Sequence, residues 1–347
     1  MKPAVRKAWR RPVSLLAVLA VLTLLGALGL PLLGRTCYAP SVYFAAADTM
    51  ERGNDTVSEI QARQALIFWR ERFPKTMTAM IAGGALALAG LALQVLFRNP
   101  LASPYTLGVA SGAAAGACFW LQFAPAGIGL ILGFSPVVLA SFAGAMLATG
   151  IVFALLRFRN LSNEQMLLAG IAVSFFFSSL ILALQYATDP GRSFRMLRWT
   201  MGRIDALPAS RLILLALMTA TAGGLLFFFA RELDILLTGR DRAMALGVSV
   251  DRFRLLLFFV SSILVGAVVS VCGPIGFVGL MIPHLSRMLV GGDHRVLVPA
   301  TTLFGGLFLA ICFTLARSVA DGDILPVGII TSLLGGPFFL WLLLRQR

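Results

Sequence analysis

Ten long apolar stretches run through the chain, and none of its 15 Asp or Glu residues lies within one of them. Most are near the twenty residues that a helix needs to cross about 30 Å of hydrocarbon, where a backbone must satisfy its own hydrogen bonds. The mean hydropathy of +0.89, with 59% hydrophobic residues, is far above that of a soluble domain. The sequence therefore predicts an all-α polytopic membrane protein with about ten transmembrane helices. The predicted spans are 13–33, 76–97, 105–124, 135–156, 165–188, 212–230, 255–272, 275–290, 297–316 and 324–344.

The basic residues alternate with this predicted topology. If the N-terminus is cytoplasmic, 17 of the 29 Lys and Arg residues lie in inside segments, and the net charge is +11 inside against +3 outside. The positive-inside rule then places both termini in the cytoplasm. Because the net charge of +14 is spread over the segments and forms no single patch, it favours membrane lipid and not nucleic acid as the partner.

The whole chain, residues 1–347, is interpreted as one transmembrane domain. Its longest polar excursion, about residues 34–75, is an outer loop that we expect to be partly helical. The largest inside segment covers about residues 231–254.

Small residues recur at four-residue spacing in two spans. Gly108, Gly112 and Gly116 form one run, and Ala140, Gly144 and Ala148 repeat the pattern. Such spacing lets helix backbones approach closely where lipid supplies no hydrophobic drive for association. The pattern predicts helix-packing faces.

The spans contain few side chains that could bind an ion or catalyse a reaction. Carriers that are driven by an ion gradient usually place carboxylates in the membrane interior, and here there are none. His284 is the only histidine within a span and is interpreted as structural, whereas His294 is expected in a polar loop; the pair makes no metal site. No Gly-Lys pair is present to form a nucleotide-binding loop. The sequence thus predicts no catalytic residue, metal or cofactor, and no enzymatic activity of its own. The four cysteines have no paired spacing and are interpreted as free thiols: Cys37, Cys118, Cys272 and Cys312.

The inside segment at 231–254 reads as a short amphipathic helix, a Gly turn and a return to the membrane. The positive-inside rule explains its arginines. It does not explain Met244, Ala245, Leu246 and Val248 in a segment that should be polar, and these residues suggest a socket for a separate ATPase.

Several of these segments resemble a known family. GPIGFVGLMIPHLSRMLVGGDHR at 273–295 and LPVGIITSLLGGPFFLWLL at 325–343 look like signatures of the FecCD family, the permease subunits of ABC importers for ferric siderophores, haem and cobalamin. Residues 72–116 and the LGV at 246–248 are also similar. The resemblance covers about residues 64–345.

The resemblance implies a type II ABC importer permease of ten helices that acts with a second permease subunit, two cytoplasmic ATPases and a periplasmic or lipid-anchored binding protein. It also implies site residues. ATPase coupling would involve Gly239, Arg240, Asp241, Arg242, Ala243, Met244, Ala245, Leu246, Gly247 and Val248. A cytoplasmic gate would involve Asn99, Pro100, Leu101, Ser162 and Asn163. Binding-protein docking would involve Arg72, Lys75 and Arg317, which also suit interfacial anchoring.

Arg192, Arg195 and Arg198 recur every third residue. On a helix they would cover about a third of the circumference and create a positive potential at the mouth of a pathway. A solvated basic face explains the same spacing.

Three functions stay open at this point. The first is an importer permease that moves a ferric siderophore by alternating access, with haem and cobalamin as alternative cargoes. The second is an ion-coupled secondary carrier, and the third is a passive channel. The missing intramembrane carboxylates argue mainly against the carrier.

Overall fold

The computed structural model describes residues 3–34, 37–43, 63–123, 134–159, 163–319 and 325–345, with a single-turn 3₁₀ helix at Pro40–Tyr43. All the longer elements in these ranges are helices. In chain order they are α1 (Pro3–Gly29), α2 (Arg63–Phe97), α3 (Val109–Phe123), α4 (Pro136–Arg159), α5 (Asn163–Tyr186), α6 (Pro190–Thr200), α7 (Ala209–Phe228), α8 (Ala230–Leu237), α9 (Arg240–Ala245), α10 (Val250–Cys272), α11 (Val278–Val290), α12 (His294–Val319) and α13 (Val327–Arg345).

The prediction of about ten membrane helices is confirmed. Within the described residues, α2, α4, α5, α7, α10 and α12 are long and apolar enough to span a bilayer, and α1, α3, α11 and α13 contain shorter apolar helices. The helices α6, α8 and α9 are short and connect spans.

The prediction places the start of the second span at residue 76, but α2 begins at Arg63. Hydropathy misses these 13 residues because they include charged side chains, and a π-helical turn at Phe68–Arg72 carries the helix through them. The end of the predicted outer loop is therefore helix. Residues 44–62 of that loop lie outside the described residues.

Helix α2 is the centre of the bundle, with 89% of its most apolar window buried. It contacts α7, α10, α11 and α12. Glycines bring the backbones together: a methyl group added to Gly90 would lie 1.8 Å from the carbonyl oxygen of Gly279 in α11, and one on Gly83 would lie 2.2 Å from that of Gly305 in α12. Only glycine allows these approaches.

The predicted packing faces of α3 and α4 meet each other. A Cβ on Gly116 would lie 2.1 Å from the Ala140 carbonyl oxygen, and one on Gly144 would lie 2.2 Å from that of Gly112. Gly108 differs, because its φ is +76° and it packs against Val173 of α5. Two of the three glycines thus join α3 to α4, and the third begins the α3 helix beside α5.

Two of the membrane helices are too short to cross the bilayer alone. At 1.5 Å per residue, the 13 residues of α11 extend about 20 Å and the 15 of α3 about 23 Å. The contact of Gly279 with Gly90 and Leu86 puts the start of α11 level with the middle of α2. The non-helical segments 98–108 and 273–277, which precede α3 and α11, therefore enter the membrane region. Irregular backbone is tolerated there where it is buried in protein or lines a cavity.

Candidate functional site

Both irregular segments line a cavity with a volume of about 1020 Å³. The cavity lies between α3, α5, α6, α13 and the 273–277 turn. Its wall consists of Ser103, Tyr105, Ala110, Ser111, Ala114, Ser174, Ser178, Ile181, Leu182, Gln185, Leu197, Thr200, Met201, Pro274, Gly276, Phe277, Leu280, Gly328, Ile329, Ser332 and Leu333.

Among the described residues, the wall of the cavity carries no acid or base that is charged at neutral pH, and its polar groups are mainly hydroxyls. Three of these hydroxyls already donate to backbone carbonyls: Ser111 to Gly108 at 3.0 Å, Ser174 to Tyr105 at 2.9 Å and Thr200 to Leu197 at 2.9 Å. A hydroxyl whose proton is used in this way offers lone pairs to the cavity. The rest of the wall is apolar, so it would contact a passing molecule without holding it by a charge.

One end of the cavity is closed by backbone packing. A Cβ on Gly202, which follows α6 with a φ of +74°, would lie 2.4 Å from the Pro274 carbonyl oxygen. One on Gly328 of α13 would lie 2.2 Å from the Met201 carbonyl oxygen, and the backbone N–H of Arg203 donates to the Cys272 carbonyl at 2.7 Å. The end of α6, the 273–277 turn and the start of α13 therefore form one packed unit.

Phe277 lies on the cavity wall in the left-handed backbone region, with a φ of +66°. Positive φ is uncommon for a bulky residue and costs conformational energy. The ring is fixed by Gly335 of α13, where an added Cβ would lie 2.2 Å from Phe277 Cγ. This side chain is a cavity residue that sequence patterns do not reveal.

The three arginines predicted for the pathway mouth lie on α6. At 100° per residue they span about 120° of the helix, roughly opposite the cavity residues Leu197 and Thr200. The Arg192 guanidinium donates to the Gln122 carbonyl at the end of α3 at 2.9 Å and pairs with Asp189 at 3.1 Å. Asp189 is also the N-cap of α6, and the backbone N–H of Arg192 lowers the pKa of its carboxyl group.

The three predicted docking residues have different surroundings. Arg72 stacks on Tyr38, with 3.9 Å between its guanidinium carbon and the ring centre. Lys75 pairs with Glu71 one turn earlier, and its side chain is only 17% exposed. Both basic side chains therefore already have a contact within this chain.

Arg317 has a local structural role. Its guanidinium donates to the carbonyls of Leu30, at 3.0 Å, and Leu33, which follow the last turn of α1. A basic side chain there satisfies carbonyls that have no partner within the helix. Its Nε and Nη1 atoms are buried without a partner in the part of the chain that the structure describes.

The predicted cytoplasmic gate is only partly visible. Asn99 follows the left-handed C-cap Arg98 of α2, and its side chain accepts from the backbone N–H of Leu101 at 2.9 Å. This turn, which includes the exposed Pro100, leads directly to the cavity residues Ser103 and Tyr105. Ser162 lies outside the described residues, as does the side chain of Asn163.

The inside segment forms the helix, Gly turn and return that the sequence predicts, with a second helix added. Helix α8 ends at Leu237, Gly239 turns the chain with a φ of +126°, and α9 follows before Gly247, with a φ of +83°, leads into α10. Met244 is 49% exposed and Leu246 is 64% exposed. We call Gly239–Val248 the coupling segment.

The coupling segment joins the bundle at both ends. Ala243 is buried, and Val248 packs against the core and donates its N–H to the Ala243 carbonyl at 3.0 Å. Arg240 pairs with Asp251 in the first turn of α10 at 3.2 Å, where both side chains are at least half exposed. The exposed apolar side chains thus stand on a structured support and not on a loose loop.

The expectation that His294 lies in a polar loop is wrong. His294 is the first residue of α12, its side chain is fully buried, and its Nδ1 lies 2.5 Å from Oδ1 of Asp234 in α8. The flanking Asp293 and Arg295 suggested a loop. Helices α8 and α12 are remote in sequence but pack against each other, and this contact buries His294 between them.

The prediction that the spans lack carboxylates agrees with the helix bounds. In the part of the chain that the structure describes, the acidic residues within the membrane helices are Glu71, Glu164 and Asp251, and each lies towards a helix start. None of the three is among the described residues of the cavity wall.

Comparison with known proteins identifies the family. The sequence matches the FecCD transport family over residues 15–345. It is 39% identical over 277 residues to the hemin transport system permease of Yersinia pestis, covering 80% of this chain and 82% of that protein. It is 39% identical over 278 residues to the cobalamin import system permease of Halobacterium salinarum, covering 80% and 72%. A solved structure described as an inward-facing conformation of a metal-chelate type ABC transporter superposes with a TM-score of 0.79 at 31% identity, covering 96% of this chain and 99% of that one. The chain therefore belongs to the FecCD transport family and is a multi-pass membrane permease of an ABC importer, a transport subunit and not an enzyme.

Proposed function

We propose that this permease moves a ferric siderophore inward across the membrane by alternating access. The observation that carries the proposal is the cavity of about 1020 Å³, whose wall is mainly apolar with some hydroxyl groups and, among the described residues, has no charged side chain. Such a wall provides no charged group to bind a coupling ion and would bind the cargo only weakly. The likeness to a metal-chelate type transporter supports a chelated metal as the cargo.

A second permease subunit completes the conduit in this proposal. Leu182 and Leu333 both line the cavity, and each is 65% exposed. One subunit therefore leaves the cavity open along the faces of α5 and α13. A second permease, either a copy of this chain or a sister subunit, would close that side.

Two ATPases and a binding protein complete the importer. The ATPases would dock on the coupling segment, and the binding protein would deliver cargo at the opposite face. This arrangement requires both termini to be cytoplasmic, as the distribution of basic residues predicts.

In the proposed cycle, binding of ATP closes the two ATPases and moves the coupling segments. Because the end of α6, the 273–277 turn and the start of α13 are packed backbone to backbone, they would shift as a unit and open or close that end of the cavity. At the other side, the Asn99 turn leads straight into cavity residues and would form part of the cytoplasmic gate.

The cargo is tested by reconstituting the permease with its ATPase and binding protein in vesicles. Ferric siderophores, haem and cobalamin are each supplied with the binding protein, and accumulation is measured with and without ATP. The proposal expects ATP-dependent accumulation of a ferric siderophore. Accumulation of haem or cobalamin alone would contradict that cargo and leave the importer mechanism intact.

Reversing the charge of Arg72 tests the docking proposal. We expect Arg72→Glu to lower uptake by roughly tenfold, because a like charge would face an acidic residue of the binding protein. Reversal of that acidic residue in the same complex should restore uptake. Arg70→Glu is the matched control, since Arg70 is an exposed arginine of the same π-helical turn. Absence of rescue by the double reversal would remove the docking assignment.

The arginine face of α6 is tested with Arg192, Arg195 and Arg198 all replaced by Gln. We expect uptake of an anionic ferric chelate to fall by about tenfold at low salt, since a positive potential raises the local concentration of anions. The difference should shrink as salt screens the field. An uncharged cargo analogue serves as the control, and unchanged anion uptake at low salt would dismiss the attraction.

A further inference from the structure

The coupling segment is connected to the membrane helices through α10, which follows it, and through α8, the helix that precedes it. Helix α8 buries Leu233 and Leu236 and contacts α2 and α12. Phe229 joins α8 to the end of α7, and its carbonyl accepts from the backbone N–H of Leu233 at 3.0 Å. Apolar burial is non-directional, so Leu233 and Leu236 alone give no specific register between α8 and α12. A directional contact across the two helices would set that register.

The Asp234–His294 pair is that contact. Oδ1 of Asp234 lies 2.5 Å from His294 Nδ1 and 3.4 Å from the backbone nitrogen of the same residue. A carboxylate can only accept hydrogen bonds, so the ring Nδ1–H and the backbone N–H of His294 are both donors to Asp234. Asp234 thus holds the first residue of α12 by its backbone as well as by its ring.

The histidine has no other hydrogen-bonding role within the described residues. Its side chain is fully buried, and its Nε2 has no partner there. The pair is only partly screened, since the Asp234 side chain is 39% exposed and the His294 side chain is not exposed at all. The Arg240–Asp251 pair at the start of α9 is by contrast exposed on both sides, and exposed ion pairs contribute little.

Helix α12 is packed so that a displacement of α8 would pass through it to the helices around the cavity. It contacts α2 through the glycine approach at Gly83 and Gly305, where backbones meet without an intervening side chain. It also contacts α11 and α13, and cavity residues lie on or directly before these helices: Phe277, Leu280, Gly328 and Ser332. Rigid, closely packed helices of this kind transmit strain.

We infer that the Asp234–His294 pair is the joint that carries the ATPase-driven displacement of the coupling segment into α12 and the cavity. The inference rests on the proposed function and makes Asp234 and His294 positioning residues for transport. When the pair is broken, ATP hydrolysis continues while α8 moves without displacing α12, and less cargo moves for each ATP.

The first test measures uptake and ATP hydrolysis in the same vesicles, with the complete importer. Asp234→Ala is expected to lower uptake per ATP by about tenfold or more, the range typical of coupling between two sites. Asp234→Asn keeps an acceptor oxygen at the same place and loses only the charge, so it should lower uptake per ATP less than Asp234→Ala does. Asp293→Ala is the matched control, because its carboxylate accepts from the backbone N–H of Arg295 inside α12 and does not reach across to α8.

The second test needs no cargo, so it separates failure of the joint from failure of the proposed importer function. Spin labels are placed at Thr238→Cys and Arg295→Cys in the full complex, with the exposed Cys37 replaced by Ser. The distance distribution should be narrow, should broaden with Asp234→Ala and should not broaden with Asp293→Ala.

An unchanged ratio of uptake to hydrolysis in Asp234→Ala would overturn the joint. So would a distance distribution that does not broaden. A parallel loss of uptake and hydrolysis in both Asp234→Ala and Asp293→Ala, with lowered thermal stability, would show a structural role only and would also overturn it.

Discussion

Replacing Met244 and Leu246 together by Asp is expected to abolish ATPase docking and uptake. These side chains are 49% and 64% exposed on the coupling segment, where the proposed interface would bury them. Burial of each apolar side chain contributes roughly 1.5–3 kcal/mol, so loss of both weakens association by about 100-fold or more. The measurement is co-purification of the ATPase with the permease, followed by uptake in vesicles.

The matched control keeps the apolar surface and exchanges its two members. Met244→Leu with Leu246→Met should retain the ATPase and uptake near the wild-type level, since such swaps conserve volume and polarity. Retention of the ATPase by the Asp pair at wild-type levels would place the docking surface elsewhere.

The second large effect is expected at the contact between α2 and α11. In Gly90→Ala the added methyl group would lie 1.8 Å from the carbonyl oxygen and 2.5 Å from the carbonyl carbon of Gly279. Both are backbone atoms, so no side-chain rotation can relieve the overlap. The two helices must therefore move apart. Overpacking in a close-packed interior costs about 1–3 kcal/mol or more, and this contact is at the high end. The measurement is the thermal unfolding midpoint of the purified protein in detergent.

Gly224→Ala in α7 is the control for Gly90→Ala. Nothing lies within 4 Å of an added methyl group at Gly224, so the change removes only the poor helix propensity of glycine. Its midpoint should be unchanged or slightly raised. Equal midpoints for both variants would show that α2 and α11 do not pack as described.

The sequence predicts the membrane helices well because the free energy of burial in lipid depends on local hydropathy alone. It also predicts the helix, Gly turn and return around Gly239, since a turn residue and an amphipathic pattern are local features. The packing of Gly112 and Gly116 against α4 follows from spacing for the same reason.

Features that depend on contacts between remote segments are not predicted. The span at 275–290 reads as one crossing, whereas the structure starts α11 at Val278 beside the middle of α2. Hydropathy does not report how deep a segment lies in the membrane. An apolar segment has the same hydropathy whether it crosses the bilayer or only begins near its middle. The short length of that span is the signal that could have indicated it.

The same limit applies to buried polar residues. His294 lies among charged neighbours in the sequence, and only the approach of α8 shows that it is buried against Asp234. Arg317 follows an apolar span and reads as a surface residue, but the end of α1 covers it and receives two of its hydrogen bonds.

The most direct test of the central claim is the energy source of uptake in vesicles that contain the permease, its ATPase and its binding protein. We expect accumulation that requires ATP on the side of the coupling segment and persists when ionophores collapse the proton and sodium gradients. No carboxylate lies among the described residues of the cavity wall to bind a coupling ion. Accumulation that follows an imposed ion gradient without ATP would therefore contradict the ATP-driven mechanism.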